Sequence, residues 1–178
     1  MATIKGGDKL GLKLGELGKK VASAKVLRVG FLEGATYPNG TTVATVAAIQ
    51  EYGAPRAHIP PRPFFRNMIA AKKGEWPAAI AALFKKHDYD ARATLDEAGA
   101  GIAGQLRRSI VDTNEPALSP VTLMLRKMFG NHPEMIRARD VADARRRVAA
   151  GESYAGVSTK PLVWTGHLFD SVDHEVKT

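Results

Sequence analysis

Apolar residues at Leu10, Leu14, Leu17 and Val21 recur at steps of four, three and four, which places them on one face of a helix. Asp8 stands where that helix would be capped, while Gly11, Gly15 and Gly18 weaken it. Such a segment needs packing partners to persist, and part of its apolar face is expected on a neighbouring subunit. The period changes at residues 25–33, where Leu27, Val29 and Phe31 alternate as in a half-buried strand. Tyr37-Pro38-Asn39-Gly40 then predicts a turn. From Thr42 to Gly53 the pattern is a short helix, with Thr41 or Thr42 as N-cap and Gly53 as the stop.

Ile59-Pro60-Pro61-Arg62-Pro63-Phe64-Phe65-Arg66 follows. Each proline presets φ and each residue before one is pushed towards extended geometry, so residues 59–62 should form a stiff strap. Pro63 suits the first turn of a helix that continues to about Lys73. On that helix Phe64 and Phe65 point about 100° apart, so one is expected in the core and the other towards a subunit or partner.

A helix restarts at Trp76-Pro77 and runs to about His87 on a stripe of Ile80, Leu83 and Phe84. The clearest periodicity comes next, with Leu95, Ala98 or Gly99, Ile102, Leu106 and Ile110 at three- and four-residue steps from a start near Asp90. It predicts a helix of about five turns as the structural spine. Ser119-Pro120 caps and starts a shorter helix carrying Leu123, Leu125 and Met128. Residues 130–158 loosen into an insertion or mobile arm around a basic helix, Asp140 to Ala150. Pro161 to Val163 reads as extended, Thr165 as the cap of a turn or short helix, and Val172 to Val176 as a final strand. The expected fold is a single α+β domain over 25–178, preceded by a helical arm over 1–24. A small, mostly antiparallel sheet packs on the long helix.

Length and composition, 178 residues with 44% hydrophobic and 25% charged, suit an ordinary soluble domain. No cysteine is present, which excludes disulfides, Fe–S clusters and thiolate zinc sites. No signal-peptide pattern or membrane-length apolar run appears, so a cytoplasmic product with no membrane association is expected. Net charge is +8, concentrated in the C-terminal half at Arg107, Arg108, Arg126, Lys127, Arg137, Arg139, Arg145, Arg146 and Arg147. A field of this kind meets water, an acidic protein surface or nucleic acid.

Other chemistry is set aside on context. Gly99-Ala100-Gly101-Ile102-Ala103-Gly104 spells a dinucleotide fingerprint but interrupts a helical stripe, so close helix packing or a kink explains it better. His58, His87, His132, His167 and His174 never form a helical i, i+4 pair. The serines lack the glycine-flanked elbow of a hydrolase. No catalytic, cofactor or metal residues are assigned, and the chain is read as a non-enzyme.

The strap segment, together with Pro116-Ala117-Leu118-Ser119-Pro120-Val121-Thr122-Leu123 and Lys160-Pro161-Leu162-Val163-Trp164-Thr165-Gly166-His167-Leu168-Phe169-Asp170-Ser171-Val172, resembles the tail-completion or neck proteins of long-tailed bacteriophages. That family includes minor tail and virion-morphogenesis proteins, among them the lambda minor tail protein Z. The resemblance covers roughly residues 25–176. It implies a structural virion subunit, assembled in the host cytoplasm into a ring, expected to be six-fold, around the DNA channel. The implied partners are the head-side connector or stopper, tail terminator or tail tube proteins, and the genomic DNA in the lumen. The residues it singles out are Pro60, Pro61, Arg62, Pro63, Phe64 and Phe65 for the strap and Thr165, Gly166, Leu168 and Ser171 for the C-terminal turn. Thr165 is expected to cap backbone amides and Leu168 to anchor in the core. Arg145, Arg146 and Arg147 are candidates for the DNA-facing surface. A small basic DNA-binding accessory protein of phage assembly is the alternative. Residues 130–158 are longer and more basic than the family leads one to expect.

Overall fold

Eight α-helices, two strands and two short 3-10 turns make up residues 7–178, which the computed structural model describes, with side chains described from Lys9 onward. The class is α+β, and the two strands form one antiparallel sheet beside the longest helix. Packing divides the chain into two units. One gathers the described residues up to Gly30 with Ala71–Gly104 and Asp173–Thr178, and the other gathers Phe31–Ala70 with Gln105–Val172.

In the first unit, α1 (Gly7–Val21) follows the stripe read from the sequence. Its capping by Asp8 lies outside the described side chains. Strand β1 (Val26–Phe31) pairs with β2 (Val172–Lys177), where the Lys25 N–H donates to the Lys177 carbonyl at 2.9 Å and Arg28 meets Glu175 at 3.4 Å. The apolar helix α4 (Trp76–Lys86) precedes α5 (Ala91–Asp112). Asp90 starts α5 by accepting the Ala93 N–H at 3.0 Å, and the Ser23 hydroxyl accepts the Arg92 N–H at 3.1 Å. The fingerprint glycines lie mid-helix. A Cβ on Gly99 would sit 2.4 Å from His174 Cδ2 and 2.7 Å from Leu27 Cδ1, so glycine lets α5 approach the strands. Gly101 and Gly104 face open space and have no such reason.

In the second unit, α2 (Val43–Tyr52) begins at Thr42, whose hydroxyl accepts the Thr45 N–H at 3.3 Å, and stops at Gly53 with φ +77°. After the strap come α3 (Phe64–Lys72), the end of α5, and α6 (Pro120–Phe129), capped by Ser119 accepting the Thr122 N–H at 3.2 Å. Val43, Phe64, Leu106, Ile110 and Met124 are fully buried.

Two expectations change here. Residues 130–158 are not a loose arm throughout, because α7 (Ala138–Ala149) packs on α6 over buried Met124, Leu125 and Ala144. A helix anchored by a fully buried alanine is a built hairpin. Pro161–Val163 form a turn and no strand. Their carbonyls are occupied by the Arg126 guanidinium, with Nη2 to Pro161 at 3.2 Å and Nη1 to Val163 at 3.3 Å, which leaves no ladder to join.

Candidate functional site

The strap is positioned by the two residues that end α2. Gly53 has φ +77° and ψ 173°, and a Cβ there would lie 2.8 Å from both the Ile59 carbonyl oxygen and the Pro61 nitrogen. Only glycine meets both demands. The Ala54 N–H donates to the Ile59 carbonyl at 2.8 Å and the Arg62 N–H to the Gln50 carbonyl at 2.7 Å, so the strap returns alongside the helix it left.

Glu51 is 5% exposed, and its carboxylate accepts the Phe65 N–H at 2.9 Å, the Arg66 N–H at 3.1 Å and the Arg66 Nε at 2.8 Å. A buried acid on α2 thereby caps the positive end of α3. The Arg66 Nη2 donates to the Glu51 carbonyl at 3.1 Å, and its guanidinium lies 4.9 Å from the Tyr52 ring centroid. The sequence reading missed this acid, whose signal was a lone carboxylate on an otherwise apolar helix.

Within the strap, Pro60 and Pro61 are exposed and Pro63 is half-buried, its carbonyl accepting the Asn67 N–H at 3.1 Å. Arg62 is buried, donating to the Pro116 carbonyl from Nε at 3.1 Å and to Gln50 Oε1 from Nη1 at 3.3 Å. Phe64 enters the core edge-on to Phe31, with centroids 6.2 Å apart. Phe65 is half-buried in a shallow groove of about 390 Å³ shared with Ala44, Ala48, Tyr52 and Ile69.

A larger pocket of about 690 Å³ is walled by the 160–170 turn, the Tyr37–Thr41 turn and the end of α6. Thr165 Oγ1 accepts the His167 N–H at 3.3 Å, Gly166 turns with φ +82°, and α8 (His167–Asp170) follows. Leu168 is buried, and the Ser171 hydroxyl donates to the His167 carbonyl at 2.7 Å. The His167 ring lies 4.5 Å from the Tyr37 ring and its Nε2 is 3.0 Å from the Thr36 carbonyl oxygen. Burial raises the Tyr37 hydroxyl above its ordinary pKa. Thr165, Gly166 and Leu168 line this pocket, whereas Ser171 and the strap residues do not. Gln50 joins the two places, lining the pocket while holding Arg62.

The pocket's cation is Arg126, which sequence reading had counted only among the basic excess. It is 5% exposed, and its guanidinium lies 5.2 Å from the Trp164 ring centroid. Besides the Pro161 and Val163 carbonyls it reaches that of Ser158 at 2.7 Å. Nε has no partner. Burial lowers the pKa of both Arg126 and Arg62, and the charge of Arg62 lowers that of Arg126 further. The only clue in the sequence was position, since Arg126 falls three residues after Leu123 on the apolar face of α6.

The arginine run lies apart from both places, on α7. Arg146 pairs with Asp143 at 3.0 Å, and Arg147 with Asp143 at 2.8 Å and Glu152 at 3.6 Å. These two guanidiniums hold the Asp143 carboxyl below its usual range. Arg145 is exposed and has no described partner. Among the described residues, no group of three or more His, Cys, Asp or Glu could hold a metal ion, and no helix is long and apolar enough to cross a membrane. Comparison with protein-family models, curated proteins and solved structures finds no match.

Proposed function

We propose that this chain is a structural subunit of a long-tailed bacteriophage virion, completing the tail and joining the head-side connector to the tail tube as a ring around the DNA channel. The observation that carries the reading is apolar surface left uncovered in each of the two units, in the second of them at the strap itself. On α1, Leu10, Leu12 and Leu14 are 61%, 71% and 58% exposed. Next to the strap, Tyr52 is 66% exposed at the groove that holds Phe65. Exposed large apolar side chains that cluster on a surface mark places where proteins meet copies or partners. The strap itself is rigidified by Gly53, Glu51 and three prolines, which suits an element that presents a fixed face.

The alternative, a DNA-binding accessory protein, draws on the exposed Arg145. It is weakened by Asp143 and Glu152, which pair with the two neighbouring arginines and reduce the field a phosphate backbone would meet. Imaging, at side-chain resolution, of virions purified from a phage that encodes this chain tests the proposal. Density for the chain between connector and tail tube supports it. Particles that lack the chain, together with steeply salt-dependent duplex binding by the free protein, would transfer the reading to the accessory class.

A further inference from the structure

The feature that neither the strap nor the uncovered apolar surface explains is a buried positive charge without a negative one. Arg126 is held only by carbonyl oxygens, of Ser158, Pro161 and Val163. The charge that acts on it is that of another cation, Arg62, which also bonds only neutral oxygens. Among the described residues no carboxylate pairs with either. Burying a cation is costly unless an anion offsets it. The hydrogen bonds to Arg126 use three of the five donors of a guanidinium. The Nε–H is buried and has no partner, and with Nη2 it forms the edge that a carboxylate takes in bidentate fashion.

Arg126 lines the pocket of about 690 Å³, whose walls include Trp164, Tyr37, Pro38 and Leu162, together with the ionisable Glu134, Asp170, His132 and His167. Apolar and aromatic walls around a single cation fit a side chain with one carboxylate and an apolar flank. A nucleic-acid backbone would need several cations, whereas Arg126 is, among the described residues, the one arginine or lysine in the lining. We propose that this pocket receives an acidic residue of an extended segment from a protein partner, its carboxylate pairing with Arg126 and its flanking side chain lying against Trp164. This assignment stands without the virion reading, since it rests on charge and shape alone.

The test titrates the full ¹⁵N-labelled chain with the peptide acetyl-Leu-Glu-Leu-amide and with its Glu-to-Gln analogue. The readout is the indole N–H of Trp164, which donates to the Gly130 carbonyl at 2.5 Å and sits on the Arg126 guanidinium. The Glu peptide is expected to shift this resonance saturably, and the Gln analogue to bind at least about tenfold more weakly, as loss of a charged partner implies. Equal binding of the two peptides overturns the proposal, as does no shift with either, which would mean that water alone fills the pocket. Inorganic phosphate and a twelve-base-pair duplex form the other arms. A stronger Trp164 shift with either of them than with the Glu peptide also overturns it. Arg126→Met should abolish the difference between Glu and Gln. If that variant does not fold, Asp170→Asn, at an exposed position, should tighten the Glu peptide, and a weakened or unchanged affinity counts against the proposal.

Discussion

The carboxylate of Glu51 holds the guanidinium of Arg66 at 2.8 Å while it accepts the backbone N–H of the same residue at 3.1 Å. One acid thus fixes both the side chain and the start of α3. Glu51→Ala should lower stability by about 2–3 kcal/mol, the cost of leaving buried helix-end donors unpaired. Glu51→Gln, which keeps an acceptor, should cost less. Urea unfolding of the three proteins compares them.

Phe64 and Phe65 are adjacent and unequal. Phe64→Ala empties a core site that is 1% exposed and should cost about 3–5 kcal/mol. Phe65→Ala removes a half-buried ring from the groove and should cost clearly less, while weakening assembly if the groove is the interface proposed above. Equal shifts of the urea midpoint for the two variants would contradict the assignment.

The three glycines inside α5 should separate by environment. Gly101→Ala and Gly104→Ala enter open space and should each stabilise by about 0.5–1 kcal/mol through helix propensity. Gly99→Ala must displace His174 and Leu27 and should gain less or destabilise. Thermal melts of the single variants give the order.

Asp90 gives the acid side of the stability curve a testable slope. Its carboxyl is held below the ordinary range chiefly by the Ala93 N–H, with the Arg92 N–H, the Ser23 hydroxyl and the charge of Lys20 adding to it. A depressed folded pKa contributes stability that is present above the unfolded value, roughly pH 4, and is lost as pH falls through the folded one. Asp90→Asn keeps an acceptor at the cap and should show a shallower loss of stability below roughly pH 4. Urea midpoints measured in steps from neutral to acid pH read this directly.

Local rules made much of the fold legible. The α1 stripe, the Thr42 and Ser119 caps, the Gly53 stop and the α5 periodicity all act within a few residues of themselves, so sequence alone carries them. Pro161–Val163, expected to be extended, misled because apolar, β-prone residues stay extended where a neighbour offers a ladder, and here Arg126 takes the Pro161 and Val163 carbonyls. The pocket was only half legible. Thr165, Gly166 and Leu168 announce a turn by type, but the burial of Arg126 is decided by residues 32 to 37 positions away. The α6–α7 hairpin escaped notice for a related reason, since the small residue that seats it, Ala144, gives no hydrophobic signal comparable to a leucine.

The Glu51 clasp has a kinetic corollary. It joins residues 15 apart in sequence, whereas the His167 ring that closes the larger pocket meets Thr36 across 131. For flexible loops that difference in span amounts to roughly 2 kcal/mol of closure entropy. The turn from α2 through the strap to α3 is therefore the inexpensive loop, suited to form early in the folding reaction and to present a finished surface while the pocket is still open. During synthesis the strap would be in place long before residues 160–172 leave the ribosome, so on the reading proposed above the strap's face would be available before the pocket is.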